Sequence, residues 1–273
     1  MGKEVTDPDH LNEMKKELTL DESKRICLDI LRYFDAFCKK HGIRYSLGEG
    51  TLLGAVRHHG FIPWDDDIDI LMERSEMDRF VSLYKDGPYS LFVPGKCRNW
   101  WSGVVRLTDN STILEFDHPA QGPHGLWIAL TPVDNAPDVE EEFQEIRSKA
   151  RFYLTRCCRK TGKWPYPAYV KWRDRLHDQF TSISKLNDRY VETVSKYNGV
   201  ETSRKMKMRL SADFLLFPSE IMSDYTDIEF EGEKFMCFSG YREYLTLMYG
   251  DYMTPPPPEQ QVCKHKYKAY HKE

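Results

Sequence analysis

The chain has no run of about 18 apolar residues, so no transmembrane helix is expected. It has no apolar leader either. Its first residues, MGKEVTDPDHLNEMKKELTLDESK, are polar, which excludes a secretory signal peptide. Met1-Gly2 with Thr6 formally fits a myristoylation pattern, but no second membrane signal follows it, and a cytoplasmic placement is the expectation. No charge bias is present: 39 Lys+Arg stand against 43 Asp+Glu, a net charge of −4. A dedicated nucleic-acid partner usually meets a basic excess, so none is expected. The seven cysteines, at 27, 38, 97, 157, 158, 237 and 263, form no Cys-x-x-Cys pair. They read as reduced, mostly buried thiols, and a zinc site would have to be assembled from distant Cys and His. There is no internal repeat, no low-complexity segment and no flexible linker. What remains is an ordinary composition, 40% hydrophobic and 30% charged over 273 residues. That is enough to bury a sizeable core, and one compact unit over 1–273 is expected.

Residues 20–41 carry Ile26, Leu28, Ile30, Leu31, Phe34 and Phe37 at helical spacing. Thr19 and Glu22 stand as a capping box at the start, and Gly42 as a stop. Ile43, Tyr45 and Leu47 alternate as a short strand. It runs into Gly48-Glu49-Gly50-Thr51, where Thr51 or a neighbour caps a helix over 52–58. Residues 67–72 read as a strand, followed by a helix near 76–85. Two more strands are expected over 102–108 and 125–133, which are rich in Val, Leu, Ile and Trp. Helices are expected over 138–160 and 168–197. DIEFEGEKFMCF at 227–238 reads as a hairpin, 241–249 as a short helix stopped by Gly250, and 255–258 as a rigid Pro-rich segment. The fold class is α+β: a core over 20–137, a helical region over 138–215, a C-terminal hairpin, helix and Pro-rich segment over 216–260, and a basic tail over 261–273. The tail reads as a loose, solvated terminus.

Trp64-Asp65-Asp66-Asp67-Ile68-Asp69-Ile70 puts four carboxylates within five residues. Strand alternation places Asp65, Asp67 and Asp69 on one face, if the strand reaches back that far, with Ile68 and Ile70 on the other. Carboxylates two residues apart against apolar packing repel unless a cation sits between them. Hard oxygen ligands suit Mg2+ or Mn2+, which commonly takes one or two carboxylates plus substrate phosphates. The bland alternative is a solvated acidic turn. The apolar residues bracketing the acids and the glycine-rich turn upstream favour the metal. In that turn, backbone N–H groups opening a helix can receive an anion. Thr51 adds a hydroxyl, and Arg57 can pair with a further phosphate oxygen.

The segment GEGTLLGAVRHHGFIPWDDDIDI resembles the signature of the LicD family, relatives of fukutin and fukutin-related protein in the nucleotidyltransferase-fold superfamily. The similarity continues in Arg106-Leu107-Thr108-Asp109 through Thr112 and Glu115, and in Gly125-Leu126-Trp127-Ile128 through Pro132-Val133-Asp134. It also extends to FEGEKF and LTLMYGDYMTPPP, so that 25–258 is covered. The resemblance implies a nucleotidyltransferase-like mixed sheet flanked by helices. It implies that the Gly50-Thr51 turn handles phosphate and that Asp67 and Asp69 hold Mg2+ or Mn2+. The implied reaction moves a phospho-alcohol from a CDP-activated donor to a hydroxyl of a glycan acceptor. Phosphocholine from CDP-choline is one case and ribitol phosphate from CDP-ribitol another. Two other readings stay open: a catalytically dead CDP-alcohol-binding module, and an NTP-dependent nucleotidyltransferase that releases pyrophosphate.

One position departs from the family pattern. Where LicD-like sequences carry Gly-(Ile/Leu)-Trp-Ile-Asp-Ile, this chain reads Gly125-Leu126-Trp127-Ile128-Ala129-Leu130. The resemblance thus puts a third carboxylate, one that helps hold metal and accepts the acceptor's proton, at the position of Ala129. By alternation Ala129 shares a face with Trp127 and Thr131. Whether Ala129 is an engineered replacement or natural, losing such a group removes several orders of magnitude in rate and leaves donor binding partly intact. The chain as written is therefore expected to be inactive or weakly active. Asp134, five residues on, faces the other way. Arg106 is a candidate for donor phosphate, against a surface ion pair. Glu49 is a candidate for substrate or metal, and His58, with His59 beside it, for phosphate or acceptor. Of the rings that can face a choline ammonium, Trp101 ranks first with Trp100, ahead of Trp127, Trp164, Tyr45 and Tyr153. His118 and His124 flank a Pro/Gly loop and carry no assignment.

Overall fold

The computed structural model describes residues 16–85, 87–96, 103–116, 125–160, 180–208, 213–263, 265 and 267–272. Helix α1 (Leu20–His41) forms where the apolar spacing places it. The Thr19 hydroxyl accepts the Glu22 N–H at 3.2 Å, and the Glu22 carboxylate accepts the Thr19 N–H at 2.8 Å. Gly42 ends the helix in the left-handed region at φ +61°, a conformation that costs glycine nothing. Cys27, Ile30, Leu31, Phe34 and Cys38 bury one side of α1 against the main sheet.

That sheet is mixed. Strand β1 (Ser46–Leu47) leads into helix α2 (Glu49–His58), then β2 (Ile68–Glu73) and helix α3 (Arg74–Leu83). Next come β3 (Tyr89–Phe92), β4 (Val105–Asp109), β5 (Thr112–Phe116) and the long β6 (Trp127–Ala136). The spatial order is β1-β2-β6-β4-β3. The β2–β6 pair is parallel; β1, β4 and β3 join antiparallel. Ten residues make β6 long enough for two partners along one edge, β4 at 127–130 and a later strand at 133–136. The register sets Asp69, Ala129 and Arg106 side by side on β2, β6 and β4.

Helices α4 (Glu140–Lys160) and α5 (Ile183–Val194) follow and pack on each other. Of the helix expected over 168–197, residues 168–179 lie outside the described residues. The stretch 138–215 is not helical throughout. Strand β7 (Arg204–Met208) returns to pair with β6, and β8 (Phe214–Pro218) pairs with β7. The period is two: Met206 is buried in a second core with Phe143, Ile146, Leu154 and Leu186. Lys205 and Lys207 reach Glu73 and Glu49 with their ammonium groups. The hairpin β9 (Tyr225–Phe230) and β10 (Glu233–Phe238) turns at Glu231-Gly232, both at positive φ, and helix α6 (Tyr241–Tyr249) ends at Gly250.

The basic tail is not loose. Strand β11 (Tyr267–His271) pairs antiparallel with β5, and its Ala269 carbonyl accepts the Leu18 N–H at 2.7 Å. Ala269 and Tyr270 are buried there. The strand is thus held on both edges, by β5 and by the residues leading into α1. Cys27, Cys38, Cys157, Cys158 and Cys237 are buried cysteines, Cys263 is exposed, and Cys97 lies outside the described residues. Among the described residues no helix is long and apolar enough to cross a membrane.

Candidate active site

The acidic run enters β2 from the outside. The strand starts at Ile68, so Asp65, Asp66 and Asp67 lie in its approach rather than within it. The alternation still has its effect. Burial, then the charges of Asp67 and Asp65, push the Asp69 carboxyl well above the usual range. Burial and Asp65 push Asp67 up to about 7, and burial with Asp66 raises Asp65. Ile68 and Ile70 are fully buried behind them. Crowded carboxyls with raised pKa values are unstable as anions in this setting, and a divalent cation between them removes that cost. The donors around Asp65, Asp67 and Asp69 are oxygens, which fits Mg2+ or Mn2+. Ala129 sits directly across from Asp69 on β6, so a carboxylate at that position would adjoin the same group.

The glycine turn is fastened to this run. The helix cap is Gly48, not Thr51; Gly48 has no side chain to cap with and is in the extended region. Thr51 lies inside the first turn, and its hydroxyl accepts the Asp69 N–H at 2.8 Å. The Gly48 N–H donates to the Asp69 carbonyl at 2.8 Å. Both backbone groups of Asp69 are therefore held by the turn. Gly50 abuts Asp65: a Cβ there would lie 2.6 Å from the Asp65 Oδ2. Glu49, at φ +44°, sends its carboxylate to the buried Lys207 on β7 and accepts the Tyr244 hydroxyl at 3.1 Å. It is tied to the scaffold of the turn, and the expectation of a contact with metal or substrate does not match its placement.

A cavity of about 320 Å3 opens beside the turn, with Gly50, Arg57, Trp64, Asp65, Tyr252 and Asp251 in its wall. Tyr249 completes an aromatic side with Trp64 and Tyr252. Arg57 donates to the Tyr252 carbonyl at 2.9 Å. His58 stands edge-on to Trp64 at 6.2 Å between ring centroids, and burial together with Arg57 lowers its pKa. On the far side of the aspartates, Arg106 is half-buried with its guanidinium 4.1 Å above the Trp127 ring. Burial brings it down to about 10, against the opposing pull of Asp67. Trp127 is engaged as the cation–π partner of Arg106 rather than free for a choline ammonium. Tyr45 is also excluded from that role: it is fully buried and donates to Asp35 at 2.7 Å. Tyr153 packs on the second core. Asp134 faces away and forms a two-point ion pair with Arg74 at 2.9 and 2.7 Å. Trp100, Trp101, Trp164, His118 and His124 lie outside the described residues.

The tail supplies residues that the linear reading missed. The His265 Nδ1 lies 2.6 Å from Asp66 Oδ1, and its Nε2 3.6 Å from Asp67 Oδ2. The bond to Asp66 raises His265 to about 9. Tyr267 stacks on the His265 ring and packs against Trp127. A usable signal was present in KYKAYH, where basic residues alternate with Tyr and Ala at period two.

Comparison with known proteins identifies relatives of this chain. Residues 42–119 match the LicD/FKTN/FKRP nucleotidyltransferase domain family, a span that holds the glycine turn, the acidic run and Arg106. The lipopolysaccharide cholinephosphotransferase LicD of Haemophilus influenzae is 31% identical over 274 aligned positions, covering 93% of this chain and 99% of that protein. The ribitol 5-phosphate transferase FKRP of Homo sapiens is 44% identical over 46 residues, 17% of this chain and 9% of that protein. An uncharacterized protein of Rickettsia typhi, RT0683, is 41% identical over 64 residues, 23% of this chain.

Proposed function

The chain belongs to the LicD family, and from that membership we propose that it handles a CDP-activated alcohol. The reaction is transfer of phosphocholine from CDP-choline to a glycan hydroxyl, with release of CMP. The acceptor oxygen bonds to the phosphorus distal to cytidine, the pyrophosphate P–O bond breaks, and the acceptor hydroxyl loses its proton. The observation that carries this reading is the joining of three crowded carboxylates, Asp65, Asp67 and Asp69, to the Gly48–Thr51 turn by two backbone hydrogen bonds. Asp67 and Asp69 would hold Mg2+ or Mn2+, which supplies charge neutralisation for the pyrophosphate. The N–H groups of the turn and Arg57 bind and orient phosphate oxygens. Arg106, fixed above Trp127, adds positive charge on the other side of Asp67. Trp64, Tyr249 and Tyr252, with Asp251, make the cavity wall suited to a quaternary ammonium. That wall favours choline over ribitol as the alcohol.

A second reading has one observation behind it. Ala129 stands where an aspartate would adjoin Asp69, so the chain as written lacks the group best placed to take the acceptor's proton. It then binds CDP-choline and turns it over poorly. The test is CMP release from CDP-choline with Mg2+, comparing the chain with Ala129→Asp at matched folding. The expected result is CMP from Ala129→Asp and about 100-fold less, or none, from the chain itself. Tight binding of CDP-choline with no turnover by either protein would replace the enzyme reading by the binding module. Pyrophosphate release from an NTP would replace both.

A further inference from the structure

Asp66 is 5% exposed, and one of its carboxylate oxygens lies within 4.8 Å of carboxylate oxygens of Asp65 and Asp67. Its partner comes from the tail. His265 Nδ1 lies at 2.6 Å, and the Cys263 thiol donates to the His265 carbonyl at 3.6 Å. One ligand atom each from Asp66, Cys263 and His265 lies within 4.8 Å of the other two, although Asp66 and Cys263 are 197 positions apart in the chain. Cys263 is the exposed thiol of the described set; the other described cysteines are buried away from solvent. Oxygen, sulfur and nitrogen donors at this separation match neither Mg2+ nor Ca2+, which take oxygen, but do match a borderline-soft divalent ion.

We propose that Asp66, Cys263 and His265 form a binding site for one transition-metal ion of the zinc class, with its own donor set beside the carboxylates assigned to Mg2+. The three residues provide carboxylate, thiolate and imidazole, and the fourth position stays open to water, as in three-ligand zinc sites. Binding replaces protons: the thiol of Cys263 gives up one, and His265, when protonated, gives up another. The ion then takes over the His265 bond that holds the tail to Asp66. It fixes Cys263 and His265 beside the approach to β2, next to Asp67.

Titration of the full chain with Co2+ in excess Mg2+ tests this. The Mg2+ fills the all-oxygen site, and cobalt bound to thiolate gives a charge-transfer band in the near ultraviolet. The expected result is one Co2+ per chain with that band, displaced by Zn2+ and not by further Mg2+. Cys263→Ser should abolish the band and weaken Co2+ binding roughly 10–100-fold, at least the effect of losing an outer partner of a metal site. His265→Gln should weaken binding to a similar degree and keep any residual band. Cys97→Ser should change nothing, which separates Cys263 from the cysteine outside the described residues. Matched thermal melts confirm that each variant is folded. No band in the unaltered chain, a band that survives Cys263→Ser, or displacement of Co2+ by Mg2+ would each overturn the assignment.

Discussion

Trp64 stands at the hinge between the cavity and the acidic run, one residue before Asp65, with its ring in the cavity wall and His58 edge-on to it. An ammonium over one well-placed ring gains about 0.5–2 kcal/mol. Trp64→Leu keeps an apolar residue but removes the ring. The expected outcome is a Kd for CDP-choline raised about 2–30-fold, with CDP-ribitol binding changed less than twofold. Calorimetry on the chain itself reads this directly and needs no turnover. An equal loss for both donors would show that Trp64 packs the cavity and does not select the alcohol. At this scale the sequence was legible where the physics is local. Asp67 and Asp69 sit two apart with the buried Ile68 between them, and Asp67, though it precedes β2, is close enough for its charge to raise the Asp69 carboxyl. Trp127 and Arg106 were both singled out, but a ring 4.1 Å beneath a guanidinium is a contact between two strands, which neither local sequence announces.

The element that organises the site is the turn into α2. Its register on β2 comes from the Gly48 and Thr51 bonds to Asp69, so the helix start and the metal-side carboxylates move as one body. Gly50→Ala tests this coupling. Alanine suits a helix better than glycine by about 1 kcal/mol, but its Cβ would press on the Asp65 carboxylate at 2.6 Å. The group that must yield is the end of a side chain, so the fold should survive with Tm within about 3 °C of the parent. Displacing a site carboxylate is expected to cost about 100-fold in Mg2+-dependent CMP release, measured in the Ala129→Asp background. A large fall in Tm with unchanged specific activity would mean that Asp65 is a packing group only. The helix over 52–58 was readable from its apolar spacing, while its cap was not. Thr51 has the chemistry of a cap, and it serves instead as an acceptor for a strand N–H eighteen residues away.

Across the whole molecule, the residues leading into α1 meet strand β11 beside the acidic run. Strand β11 lies between β5 and residues 17–18, so the entrance to α1, the β5 edge and the Asp66 carboxylate share one support. Charge made this strand look like a solvated tail, and its alternation was the weaker signal. Helix α1, the hairpin and α6 were visible because each is a local pattern; β11 was not, because its partner β5 is about 150 residues away, and β7 joins the main sheet through β6, over 60 residues away. A chain ending at Gln261 isolates the contribution. It loses the buried Ala269 and Tyr270 and leaves β5 with an unpaired edge. Burial of that size is worth about 2–4 kcal/mol, and in a chain this long each kcal/mol moves Tm by about 2–4 °C. Thermal unfolding should therefore drop by about 5–15 °C, with the exposed edge promoting association. His265→Gln, which leaves β11 in place, should keep most of the stability and lose the Asp66 contact alone. If the shortened chain melts with the parent, the strand is not docked in solution and the contacts of His265 with the acidic run fall with it. If it melts lower while His265→Gln does not, docking of β11 comes from its pairing, and His265 is carried to the aspartates by a strand whose own stability is independent of them.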